Sequence, residues 1–205
     1  MRLSAELRWF WEGEPTKEFA RWFAEAGQDW YAARPTKTRL DNYLADRGQS
    51  ELGIKKRSGG SIVEVKGFIA ARNQTLAFSN CTASVELWAK WPSFALDLSC
   101  VRLITIEKRR SMRSFRPNGA GVLELPPTSE EPRADTASAC NVELTRISGP
   151  DGSPWWTLGL EAFGALEQIE TLLAATLAEM EHRKPPPLTN GQAWSYPAWI
   201  AIQGW

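Results

Sequence analysis

Residues 38–67 read TRLDNYLADRGQSELGIKKRSGGSIVEVKG. Three short runs in this stretch alternate with a period of two, the spacing of a β-strand, in which successive side chains point to opposite faces. Arg39, Asp41 and Tyr43 share one face of the first run. Lys55 and Arg57 share one face of the second, with Gly53 on the same side. Glu64 and Lys66 share one face of the third, opposite Val63 and Val65. Ser58-Gly59-Gly60 supplies a tight hairpin between the second and third runs. Each run therefore has a charged face and a more apolar one. The pattern fits two arrangements. The charged face lies on water, as on an ordinary sheet surface, or it turns inward and lines a polar cavity that needs an ionic ligand.

The same alternation extends in both directions. Leu3 to Trp11 is a strand with Ser4, Glu6, Arg8 and Phe10 on one face and Leu3, Leu7, Trp9 and Trp11 on the other; Gly13 and Pro15 end it. Thr16 to Ala26 is a helix, because Phe19, Trp22, Phe23 and Ala26 recur at helical spacing, with Gly27 as the stop. Gly67 to Ala71 prolongs the third run, and residues 72–82 read as a polar connection. Ala83 to Trp91 is a strand with Ser84, Glu86, Trp88 and Lys90 on one face, closed by Pro92; Phe94 to Cys100 is a short helix or turn. Arg102 to Phe115 is a long strand whose Ile104, Ile106, Lys108 and Arg110 share a face, so its alternation is imperfect. Leu123 to Ser138, rich in Pro, Glu, Thr and Ser, is a loop. Cys140 to Ile147 is a strand with Asn141, Glu143 and Thr145 on one face, Gly149 to Pro154 is a turn, and Trp155 to Phe163 is the strand back, with Thr157, Gly159 and Glu161 on one face. Ala165 to Glu181 is a helix with the stripe Leu166, Ile169, Leu172, Leu173, Leu177 and Met180. Pro185-Pro186-Pro187 breaks it. The expected organisation is one barrel domain over 1–184 and an aromatic tail over 185–205, whose Trp194, Tyr196, Trp199 and Trp205 must pack on the body.

Composition narrows the function classes. Lys plus Arg and Asp plus Glu are 24 each, so the formal net charge is zero, which argues against non-specific nucleic-acid binding. Cys81, Cys100 and Cys140 have no metal-ligand spacing and read as buried free thiols in a reducing cytoplasm. The charged start Met1-Arg2-Leu3-Ser4-Ala5-Glu6 does not fit a secretory leader, and no apolar run reaches the ~20 residues of a membrane span. A cytoplasmic monomer or homodimer without membrane association is the expectation. His182 is the only histidine and sits in the polar end of a helix, so a Ser-His-Asp triad, a Cys-His pair or a multi-histidine metal site would have to use that one residue.

The order of the charges resembles the CYTH-like superfamily, the triphosphate tunnel metalloenzymes, over residues 3 to 181. The group includes thiamine triphosphatases, inorganic triphosphatases, RNA triphosphatases and some adenylyl cyclases. Ser4-Ala5-Glu6-Leu7-Arg8 stands where the family opens with Glu-x-Glu-x-Lys. Asp41-Asn42-Tyr43 matches an Asp-x-Tyr strand, Lys55-Lys56-Arg57 an Arg-x-Arg strand, Lys66 the lysine of the paired strand, and Lys108-Arg109-Arg110 a Lys-x-Arg strand. Glu143 and Glu161 match the late acidic strands. Four positions differ: Ser4 and Gly159 stand where the family carries glutamates, Arg8 where it carries lysine and Lys55 where it carries arginine.

The resemblance implies an α+β fold, a closed eight-stranded antiparallel β-barrel with flanking helices and a charged interior. It implies that Arg8, Lys55, Arg57, Lys66, Lys108 and Arg110 hold a triphosphate or polyphosphate, since Arg in particular pairs phosphate oxygens in bidentate fashion. It implies further that Glu6, Glu143 and Glu161 hold Mg²⁺ or Mn²⁺, with Glu6 and Glu161 carrying the catalysis. The expected activity is metal-dependent hydrolysis of a triphosphate-containing substrate. The alternatives are a barrel that binds a phosphorylated anion without turnover, and an interaction role through the aromatic tail.

Overall fold

A computed structural model of the chain describes residues 1–26, 32–35, 38–45, 48, 50–58, 60–127 and 137–205. The expected stop at Gly27, the central glycine of the 58–60 hairpin and most of the 123–138 loop lie outside the described residues. In chain order the elements are β1 (Arg2–Glu12), α1 (Lys17–Glu25), β2 (Arg34–Pro35), β3 (Arg39–Leu44), β4 (Leu52–Arg57), β5 (Val63–Phe78), β6 (Cys81–Ser93), β7 (Leu103–Asn118), β8 (Gly121–Glu124), β9 (Ala139–Ser148), β10 (Pro154–Phe163), α2 (Ile169–His182), β11 (Gln192–Ala193) and α3 (Tyr196–Gln203).

Eight of the strands close into an antiparallel barrel in the order β10-β9-β7-β3-β4-β5-β6-β1, with β1 returning to β10 from Ser4↔Phe163 to Glu12↔Trp155. Closure leaves these strands no free edge. The fold is α+β, with three helices among the described residues flanking the barrel. The short β2 and β8 extend β7, and β11 pairs with Trp9 and Phe10 of β1. No helix among the described residues is long and apolar enough to cross a membrane.

The apolar face of β1 points outward and is covered. Leu7, Trp9 and Trp11 join Phe19 and Phe23 of α1, Leu172, Leu173 and Leu177 of α2, and Leu158 and Leu160 of β10 in one buried cluster. Thr16 starts α1 by accepting a hydrogen bond from the Phe19 amide, as a capping threonine does. Burial on both faces is why β1 is sequestered along most of its length.

Several local expectations shift. Residues 72–78 continue β5 rather than forming a loop, and the turn falls at Ser79 and Asn80, both with positive φ. This end of the strand is exposed on both sides from Ala71 to Thr75, so it shows no alternation to read. α2 begins at Ile169, four residues later than expected, and Leu166 is exposed. Residues 94–100 form turns without a helix, and Cys100 on that loop is exposed, unlike Cys81 and Cys140.

The tail folds onto one end of the barrel. Ser195 caps α3 through the Ala198 amide, and Gly204 ends it with a left-handed φ. Trp199 is fully buried and stacks on Phe10 with ring centroids 5.1 Å apart; Ile200 packs beside it. Together with Tyr43, Ile104, Ile106 and Ile147 they form a second apolar cluster, against which Trp155, Trp194, Tyr196 and Trp205 pack. Two glycines make room for the tail. A Cβ at Gly149 would lie 2.6 Å from the Trp205 ring, and one at Gly53 would lie 2.9 Å from Pro197.

Candidate functional site

The change along β7 from Ile104 and Ile106 to Lys108 and Arg110 marks the boundary between two layers of the barrel interior. The isoleucines belong to the apolar floor built with α3. The cations belong to a charged lining, and its ion pairs reach over intervening strands, as the concave side of a closed barrel permits. Lys66 of β5 meets Glu6 of β1 at 2.7 Å across β6, and Arg8 of β1 meets Glu143 of β9 at 3.4 Å across β10. The interior thus has a charged layer and an apolar layer, with α3 at the apolar end. The side chains of Arg2, Arg57 and Glu64, at 39%, 51% and 37% exposure, stand at the opposite rim.

Every carboxylate of the network is shared by at least two cations. Glu6 is held by Lys66 at 2.7 Å and Lys90 at 2.8 Å, and Ser4 donates a hydrogen bond to it at 2.8 Å. Glu161 is held by Lys90 at 2.8 Å and by Arg2. Glu143 lies between Arg110 at 2.9 Å and Arg8 at 3.4 Å. Asp41, fully buried, takes Arg39 at 2.9 Å, Lys108 at 3.2 Å and Lys55 at 3.3 Å. Glu64 takes Arg57 at 2.9 Å and Lys55 at 3.1 Å. Arg2, Arg8, Arg39, Lys55, Arg57, Lys66, Lys90, Lys108 and Arg110 therefore outnumber the acids they pair with. Glu86, on the same face, accepts from the Trp88 indole instead, and burial raises its pKa.

The electrostatics follow from this imbalance. Burial alone would raise the carboxyls of Glu6, Asp41 and Glu143, yet the surrounding cations outweigh it and hold all three below the usual range, Glu143 down to about 2. The lysines show the other side of the imbalance. Burial, assisted by neighbouring Lys90, pushes Lys66 down to about 8 even with Glu6 beside it. Burial and the positive charges of Lys55, Arg39 and Arg8 hold Lys108 well below its ordinary value, in spite of Asp41. Lys108 reaches down to the floor, where it donates to the Tyr43 hydroxyl at 2.6 Å and lies 3.5 Å from the centre of the Tyr196 ring. The Arg8 guanidinium lies over the other part of this floor, 4.8 Å from the same ring. The Thr145 hydroxyl, on the inward face of β9 beside Arg110, and the Tyr196 hydroxyl are buried without a hydrogen-bond partner.

Of the residues singled out from sequence, the barrel brings Arg8, Lys55, Lys66, Lys108 and Arg110 into the lining and leaves Arg57 at the rim. Glu6 and Glu161 come opposite each other in the β1–β10 register, whereas Glu143 lies opposite Gly159 one strand further on. This arrangement does not fit a divalent ion. Lys90 occupies the position between Glu6 and Glu161, two guanidiniums hold Glu143, and among the described residues no three His, Cys, Asp or Glu side chains are grouped to hold a metal. Two of the departures from the family pattern, Ser4 and Gly159, have structural uses. Ser4 orients Glu6. Gly159 seats the Arg8 guanidinium, since a Cβ there would lie 2.5 Å from Nη1 and closer still to Cζ.

Sequence reasoning assigned no site role to Arg2, Arg39, Asp41, Lys90 or Tyr196. For all but the last a signal existed, namely a place on the charged face of an alternating run. Tyr196 enters through the tail, where nothing local marks it. Compared with known proteins, the chain matches no family model and no curated protein sequence.

Proposed function

We propose that the protein binds a phosphorylated anion of the triphosphate or polyphosphate class inside the barrel, as a divergent relative of the triphosphate tunnel group. One observation carries the reading: the lining holds more cations than carboxylates, with every carboxylate but Glu86 already shared between cations. Burying charge costs several kcal/mol per ion, and carboxylates shared among two or three cations leave a net positive lining, which an anion relieves. Phosphate oxygens match the donors, because guanidinium and ammonium groups form short charge-assisted hydrogen bonds to them. A bound anion would raise the depressed pKa of Lys66 and Lys108. Calorimetric titration of tripolyphosphate into the metal-free protein, in EDTA, tests the reading: saturable binding is expected, and its absence overturns it.

A phosphohydrolase remains the second reading, on the strength of the register that sets Glu6 opposite Glu161. In that reading Mg²⁺ or Mn²⁺ would have to displace Lys90 before either carboxylate is available to it. Phosphate release from tripolyphosphate, ATP and thiamine triphosphate, with Mg²⁺ and then Mn²⁺, decides between the two.

A further inference from the structure

We propose that Lys90 is a tethered cation standing in the place of a divalent ion between Glu6 and Glu161, and that removing its ammonium opens a divalent-cation site. Its Nζ lies 2.8 Å from Oε1 of Glu6 and 2.8 Å from Oε1 of Glu161. These are the two carboxylates that β1 and β10 set face to face. The Ser4 hydroxyl approaches the same Glu6 oxygen at 2.8 Å. Two carboxylate oxygens thus converge on one point, and a hard divalent ion takes oxygen ligands of this kind, completing its shell with water.

Lys90 reaches that point from β6, where Arg2↔Lys90 and Lys66↔Lys90 pair it with both neighbouring strands. Burial disfavours its ammonium, but Glu161 and Glu6 outweigh burial and keep it charged. Of the other cations on the pair, Lys66 binds the second oxygen of Glu6, and Arg2 shares Oε1 of Glu161 with Lys90, so that each touches one acid only. Neither lies between the two acids. A positive charge carried on the chain therefore bridges the two acids without an exchangeable ion. Because it is covalently attached, a metal in solution must displace it before it can bind.

Mn²⁺ alone is the probe, with no anion present, so the result is independent of whether the barrel binds phosphate. Free Mn²⁺ is followed by electron paramagnetic resonance in the parent, Lys90→Ala and Lys90→Ala/Glu161→Gln, and thermal unfolding is recorded with and without the metal. The expected result has three parts. The parent shows no saturable binding. Lys90→Ala unfolds at lower temperature, binds one Mn²⁺ and regains part of the lost stability with it. The double variant shows neither binding nor recovery. Lys90→Met keeps the apolar stem and gives the same comparison if the alanine variant does not fold; should neither fold alone, refolding that succeeds only with Mn²⁺ supports the proposal and refolding that fails with it overturns it. Saturable Mn²⁺ binding by the parent that Glu161→Gln abolishes overturns it, as does a folded Lys90→Ala that binds no Mn²⁺.

Discussion

Replacing Gly159 by alanine separates a seat built for Arg8 from a merely vacant position. In a strand, glycine is ordinarily the weaker choice, and alanine in its place stabilises by about 0.5–1 kcal/mol. Gly159 has no left-handed φ that would reverse this expectation. Here, however, the added Cβ would lie 2.5 Å from Nη1 of Arg8, where ordinary contact begins near 3.4 Å. The guanidinium is the far end of a flexible side chain, so it retreats by roughly 1 Å and the barrel persists. That retreat removes the 3.4 Å contacts to Glu143 and Thr157 and the position over Tyr196. The two long hydrogen bonds belong at the weak end of the charged range, about 1.5 kcal/mol. A desolvated cation–π contact adds up to about 2 kcal/mol. Against the alanine gain, a net loss of about 1–3 kcal/mol follows. Urea unfolding measures it, and a cycle with Arg8→Ala isolates the coupling: in the Arg8→Ala background the substitution at Gly159 should turn neutral or stabilising. A Gly159→Ala protein more stable than its parent would refute the seat.

Three further outcomes follow from the same lining. Arg110→Ala removes a charge-assisted donor worth about 1.5–3 kcal/mol, so tripolyphosphate affinity should fall roughly tenfold to a hundredfold; unchanged calorimetric affinity would reject Arg110 as a ligand. Binding should take up protons between pH 8 and 10, because an anion raises the pKa of Lys66 from about 8, and titrations in buffers of different ionisation enthalpy that show no proton uptake contradict this. In the free protein the sign is opposite to that of an ordinary paired lysine. The folded state holds fewer protons than the unfolded one above pH 8, so the Lys66 penalty is present in full below that value and lifts as pH rises towards 10.5. Trp199→Ala should cost about 3–5 kcal/mol in urea unfolding, the range for deleting a buried large aromatic; a cost below about 1 kcal/mol would mean that α3 is no integral part of the floor.

The strands were legible because each carries one charged and one apolar face, a pattern that survives wherever one side is wet or ionic. The direction of the charged face was not legible from alternation alone. It followed only from the order of the charges, which is a property of the whole run from Glu6 to Glu161. Where both faces of a strand are exposed, as from Ala71 to Thr75, the period disappears and the strand reads as loop. Pairing was less legible still. Nothing in Ser84, Glu86, Trp88 and Lys90 says that Lys90 crosses to two acids on β1 and β10, because that depends on closure of the barrel. Ser4 and Gly159 read as missing acids for the same reason: the guanidinium that fills the space at Gly159 comes from a strand far away in sequence.

The formal charge of the chain is zero, and from that figure alone an anionic ligand has no particular claim. The fold separates what the sum conceals. Cations are in excess along the inner faces of the barrel strands, so acids are in excess over the rest of the molecule. A lining that is both buried and unbalanced is costly, since replacing buried ion pairs by apolar side chains of similar size is often neutral or stabilising. Small barrels are ordinarily filled that way, and this barrel is filled that way at its α3 end, where Phe10, Ile104, Ile106, Ile147 and Trp199 meet. The same strands thus carry both solutions within one interior. The apolar half shows that the chain can pack a barrel core. The charged half is kept beside it at a cost in stability, and that cost is the argument for the proposed anion, with Arg8, Lys66, Lys108 and Arg110 as its proposed ligands.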